Sequence, residues 1–141
     1  MSDQTLQSGY LTIAARAAEE KYKARLSAVL LLEAATGIAL LVAPLGVSRL
    51  LGLADDVGIV WARVTGLMIL MLVAFMTVGL PKPASAKATN ILGFIARGLI
   101  GLLLLAYGGS FIMAGLFDLA VAAFLAFSYF TYFKAEVMNR P

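Results

Sequence analysis

The chain has 141 residues, of which 62% are hydrophobic and 13% charged, with a formal net charge of +3. A soluble domain of that length is nearer half apolar and a quarter charged, so a water-soluble globule is excluded and the chain belongs in lipid. Cysteine and histidine are both absent, which excludes disulfides, thiol or Ser-His nucleophiles, iron–sulfur clusters and most zinc or haem ligation by this chain.

The sequence therefore predicts neither a metal nor a cofactor held by the chain itself. The basic residues are segregated along the chain rather than gathered on one helix interleaved with aromatics. The positive charge is thus a topology signal and not the footprint of a nucleic-acid partner.

In chain order, residues 1–7 are polar, and Ser8 is placed to cap a helix starting near Tyr10. From there to Arg25, Leu11, Ala15, Ala18 and Tyr22 recur at helical spacing, while Arg16, Glu19, Glu20 and Lys23 take the other side. Glu19 and Lys23 stand one turn apart as a favourable pair. Residues 1–25 thus read as a cytoplasmic leader, an amphipathic helix lying in the membrane interface. It is too long and too charged for the n-region of a signal peptide.

Four apolar runs follow, at residues 26–45, 57–80, 89–107 and 111–133. Each approaches or exceeds the ~20 residues that cross a hydrocarbon core as a helix. Pro44 and Gly46 mark the exit of the first run, and Asp55 or Asp56 is placed to cap the second. The linker Pro81-Lys82-Pro83-Ala84-Ser85-Ala86-Lys87 is a plain loop, Gly108-Gly109-Ser110 is a break, and residues 134–141 form a polar tail. The fold expected is an all-α, up-down-up-down bundle of four transmembrane helices.

Sorting the cations by side orients it. Arg16, Lys21, Lys23, Arg25, Lys82, Lys87, Lys134 and Arg140 fall on one side and only Arg49 on the other. That asymmetry predicts cytoplasmic N- and C-termini in a bacterial inner membrane.

Each span carries one ionisable residue: Glu33, Arg63, Arg97 and Asp118. A charge at such depth is costly without a partner. At a rise of ~1.5 Å per residue, Glu33 and Arg97 lie about 10 and 12 Å from the cytoplasmic boundary. Arg63 and Asp118 lie about 9 and 11 Å from the outer one by the same count. Matching depth and opposite sign predict two intramembrane ion pairs, Glu33 with Arg97 and Arg63 with Asp118.

A faint internal repeat points the same way. Glu33 stands four residues before Gly37 and Arg97 four before Gly101, while Arg63 and Asp118 correspond loosely. Small residues recur on the charged faces: Ser110, Ala114, Asp118, Ala122 and Ala126 form one stripe, and Gly93, Arg97 and Gly101 another.

Each of these residues has a plainer reading and a sharper one. Glu33 and Asp118 are either structural partners of arginines or proton- or cation-coupled carboxylates. Near the outer boundary Arg63 either pairs or snorkels its long stem to the headgroups. Phe124, Phe127, Tyr129, Phe130, Tyr132 and Phe133 form either a docking surface for a planar hydrophobic ligand or membrane partner, or an aromatic belt at the cytoplasmic interface. In the belt reading Tyr129 and Tyr132 sit in the headgroups, and Phe124 and Phe127 pack more deeply. Met68, Met71 and Met76 read as packing residues.

The glutamate-bearing first span ending in Ala43-Pro44, then Ala62-Arg63-Val64-Thr65-Gly66, Ala96-Arg97-Gly98 and Phe117-Asp118-Leu119, resembles the DoxX-like group of small four-helix bacterial membrane proteins. The likeness covers residues 26–133. It implies a membrane partner of redox or sulfur enzymes, or of quinone-linked complexes, with the electrons carried by a partner or a bound quinone. The run Leu30-Leu31-Leu32-Glu33-Ala34-Ala35-Thr36-Gly37 is similar to the glutamate helix of small multidrug exporters. The two intramembrane arginines depart from that pattern and would repel a cationic substrate.

The expectation is therefore a non-catalytic accessory or scaffold subunit of a larger membrane complex, in contact with membrane lipids and with other subunits or copies of itself. A bound lipid or quinone-like molecule fits that reading. The alternative is a proton-coupled transporter using Glu33 or Asp118.

Overall fold

The computed structural model describes residues 2–50 and 58–138, with side chains from residue 13 onward. The helices in these residues are α1 (Ser2–Val42), α2 (Pro44–Leu50), α3 (Ile59–Thr77), α4 (Lys87–Tyr107) and α5 (Phe111–Val137), with no strand among them. The stretch Ile13–Val42 of α1, and all of α3, α4 and α5, are long and apolar enough to cross a membrane. The protein is a multi-pass membrane protein.

The leader and the first span form one uninterrupted helix rather than two segments meeting at Arg25. No glycine or proline occurs between Tyr10 and Thr36, so nothing in the sequence breaks the hydrogen-bond ladder. The helix also begins at Ser2, which places Ser8 within it rather than at its cap. Its end is set by Pro44. Proline has no N–H to continue the ladder, so α1 stops at Val42, and Pro44 occupies the first position of α2, where that donor is not needed. The segment after the first span is therefore helical up to Leu50 and packs back on α1 and α3, burying Pro44 and Ser48. Asp55 and Asp56 lie outside the described residues; the residue preceding α3 is Gly58.

Between α4 and α5 the chain turns through Gly108 and Gly109, whose φ angles of 72° and 57° are open to glycine and costly for other residues. This is the break expected there.

The spanning helices form a ring. α1 packs against α3 and α5, and α4 packs against α5 and α3. α1 and α4 hold one diagonal and α3 and α5 the other; on neither diagonal do the backbones pack together. Polarity is distributed inside out. Glu33, Arg97, Asn90, Ser128 and Tyr22 are buried, while Leu31, Ile38, Leu67, Leu99, Leu102 and Met113 lie on the outer surface. In water such a surface would aggregate; in hydrocarbon it is the solvated face.

Candidate functional site

Two glycine crossings build the site. In the first hairpin, a Cβ added at Gly37 would stand 2.8 Å from Leu70 Cγ and 3.0 Å from the Gly66 carbonyl oxygen. One added at Gly66 would stand 2.7 Å from the Gly37 oxygen and 2.9 Å from Leu40 Cβ. The second hairpin repeats this. A Cβ at Gly101 would meet Leu119 Cγ at 2.8 Å and the Gly115 oxygen at 2.9 Å; one at Gly115 would meet the Gly101 oxygen at 2.8 Å and Leu104 Cβ at 3.1 Å.

The partners hold the same sequence offsets in both hairpins: the second glycine plus four, and the first glycine plus three. Each crossing brings two backbones together as only small residues allow. The α1–α3 and α4–α5 hairpins are therefore copies of one packing unit.

Counting from those glycines fixes the register. Glu33 is four residues before Gly37 and Arg97 is four before Gly101, so the two occupy equivalent places. They lie on diagonal helices and reach across the bundle to each other. Both guanidinium Nη atoms of Arg97 engage the Glu33 carboxylate, Nη1 on Oε1 and Nη2 on Oε2. Arg97 is 2% exposed and Glu33 9%.

The arginine Nη2 also lies 3.4 Å from Met76 Sδ, contributed by α3. Met76 itself fills the notch left by Gly93 on α4. Arg97 Nε is buried and meets no acceptor among the described residues. Of the methionines expected to pack, Met76 is fully buried, whereas Met68 and Met71 are exposed.

The Arg63–Asp118 pair is not formed. Arg63 stands three residues before Gly66, while Asp118 stands three after Gly115, so they fall on opposite sides of their crossings and are not equivalents. They also sit on α3 and α5, opposite each other in the ring. The register thus separates them by six residues, about 9 Å along the helix axis, so the depths counted from the ends of the runs do not match. Arg63 is exposed, near the start of α3, where its stem can extend to the headgroups. Asp118 is half-buried, and the charge acting on it is that of Arg97. The buried ion pair is thus Arg97 with Glu33, from α4 and α1, with Asp118 of α5 near enough to feel the charge of the arginine.

A second polar layer lies at the middle of α1, near the start of α4 and toward the end of α5. Tyr22 donates its hydroxyl proton to Asn90 Oδ1 at 2.7 Å, again linking α1 to α4. Asn90 Nδ2 donates to the Ala86 carbonyl at 3.1 Å. The Tyr22 ring meets Tyr129 edge-on at 5.3 Å and stacks on Tyr132 at 6.0 Å.

This removes Tyr129 and Tyr132 from the expected aromatic surface. Tyr129 and Tyr132 are 2% and 3% exposed, so neither lines a docking surface or a belt. Phe124, Phe127 and Phe130 face outward, and Phe133 is partly buried against the core. The helical period decides this. Leu125, Ser128, Tyr129 and Tyr132 share the inward face, and Tyr22 and Phe94 supply the rings that pack there.

Asn90, Tyr22 and Ser128 are the polar core residues that reading by charge passed over. A long-range partner is visible in sequence only when it carries opposite charge, and these are neutral. The expected pair of Glu19 with Lys23 is present at 2.6 Å. Among the described residues, no cluster of His, Cys, Asp or Glu could hold a metal ion. Comparison with protein-family models, with curated proteins and with solved structures finds no match to this chain.

Proposed function

We propose that this protein is a non-catalytic scaffold or accessory subunit of a larger complex in a bacterial inner membrane. In this reading the helices run up-down-up-down with both termini in the cytoplasm, as the segregation of lysine and arginine requires. The charged middle of α1 then meets the cytoplasmic headgroups, with Arg16, Glu20 and Lys21 exposed.

One observation carries the reading. The centre of the bundle, where a substrate path would run, is filled by the Arg97–Glu33 pair, closed over by Met76. A carboxylate held by both ends of a guanidinium fork is anchored rather than poised for proton exchange. The resemblance to DoxX-like proteins adds a redox or quinone-linked setting, with the electrons on a partner. Purification from mild detergent followed by mass spectrometry tests this. A co-travelling membrane protein is expected; repeated isolation of the chain alone counts against it.

Asp118 favours a second reading. It is half-buried and forms no ion pair among the described residues. A carboxylate so placed suits a proton-coupled transporter. Proton flux into vesicles carrying the purified chain, abolished by Asp118→Asn, would put that reading first.

A further inference from the structure

A groove of about 450 Å³ opens between α1 and α5, ten or so residues from Glu33 on the one helix and Asp118 on the other. Its floor is Ala14, Ala17 and Ala18, small residues that leave the space. Its rim is cationic and hydroxylated, with Lys21 and Arg25 from α1 and Ser128 and Thr131 from α5.

Arg25 is fixed in place. Its Nη1 donates to Ser128 Oγ at 2.9 Å, and its guanidinium carbon lies 5.3 Å from the centre of the Phe124 ring. Lys21 stands one turn away on the same helix. Neither cation is in an ion pair among the described residues. Arg25 is eight residues from Glu33, about 12 Å along the helix, which sets the rim at the membrane boundary. Below it, Phe127 is 73% exposed and offers an apolar wall.

We infer that this groove binds the phosphate headgroup of an anionic phospholipid of the cytoplasmic leaflet, with an acyl chain laid along Phe124 and Phe127. Two cations that form no ion pair among the described residues match a phosphate, and one of them is already oriented by Ser128 and Phe124. Basic pockets between spanning helices on the cytoplasmic side are built for such headgroups. The inference rests on the chain spanning the membrane with cytoplasmic termini, and not on the identity of any partner complex.

The test is native mass spectrometry of the full chain in an uncharged detergent, titrated with phosphatidylglycerol or phosphatidylcholine. One phosphatidylglycerol is expected to stay bound at least several-fold more tightly than phosphatidylcholine. Lys21→Gln, at an exposed position outside any ion pair, should weaken it roughly fivefold, and the double variant Lys21→Gln/Arg25→Gln about 25-fold. Arg25→Lys should retain part of the affinity, and Lys134→Gln all of it.

Equal retention of the two lipids, or unchanged retention by Lys21→Gln, overturns the inference. So does displacement of the lipid by millimolar inorganic phosphate, which would make the site one for a free anion, or the appearance of a lipid-free dimer lost in Lys21→Gln. Labelling of a cysteine placed at Ser2 in intact spheroplasts reports the orientation separately, so that failure of the topology and failure of the lipid site are distinguishable.

Discussion

Glu33 and Arg97 occupy the same position in two copies of one helical hairpin, and they bond to each other across the diagonal of the bundle. A pair related in this way lies on the pseudo-two-fold axis that exchanges the hairpins. Its two members carry opposite charge, so the repeat is one of backbone packing with the signs reversed at its centre. Parallel repeats about an axis along the membrane normal have this form.

The equivalence of the two crossings makes a first prediction. Gly66→Ala and Gly101→Ala each drive a methyl group onto a facing carbonyl and should lower stability by about 1–3 kcal/mol. Gly98→Ala, where a Cβ meets nothing within 4 Å, should be neutral or slightly stabilising. Thermal unfolding in detergent compares the three. Similar losses at the first two positions support the repeat; a loss at only one of them breaks it.

Two of the buried tyrosines, Tyr22 and Tyr129, should respond differently to removal of the hydroxyl. Tyr22→Phe leaves Asn90 Oδ1 without its donor inside the bundle, at a cost of about 1–3 kcal/mol. The Tyr129 hydroxyl has no hydrogen-bond partner among the described residues, so Tyr129→Phe should be neutral or stabilising. The same unfolding measurement checks both, and equal effects would contradict the assigned bond.

Arg63 and Asp118 should behave independently. In a double-mutant cycle of Arg63→Gln and Asp118→Asn, the effects should add within about 0.5 kcal/mol, as they do for residues that share no contact. A coupling well above that would restore the ion pair that the structure does not form.

The spans were legible because their signal is local: apolar runs of membrane length, ended by Pro44 and by Gly108-Gly109; α3 stops at Thr77 rather than Leu80, and α5 continues past Phe133 to Val137. The Glu33–Arg97 pair was legible for a different reason. Both residues sit one turn before a glycine, and each needs an opposite charge at its own depth. Arg63 and Asp118 met the depth condition only when counted from the ends of their runs; the glycine register sets them apart. Which helices neighbour which is a property of the ring, and nothing in a single span records it.

The continuity of α1 was hidden by composition. Charged residues before Arg25 read as a separate interfacial segment, yet backbone continuity depends on the absence of breakers and not on polarity. The two inward tyrosines of the aromatic run were misassigned because the amphipathic character of tyrosine suits both a headgroup belt and a polar core. Tyr129 and Tyr132 were settled by Tyr22, a residue more than a hundred positions away in sequence.

Charge reversal at the centre of the bundle tests the account most directly. Glu33→Arg and Arg97→Glu should each place like charges face to face and abolish cooperative unfolding of the purified chain. Because the two positions are structural equivalents, the double variant Glu33→Arg/Arg97→Glu should recover a folded bundle, with a coupling of at least about 2–3 kcal/mol. Single variants as stable as the parent chain, or a double variant no better than the worse single, would contradict it.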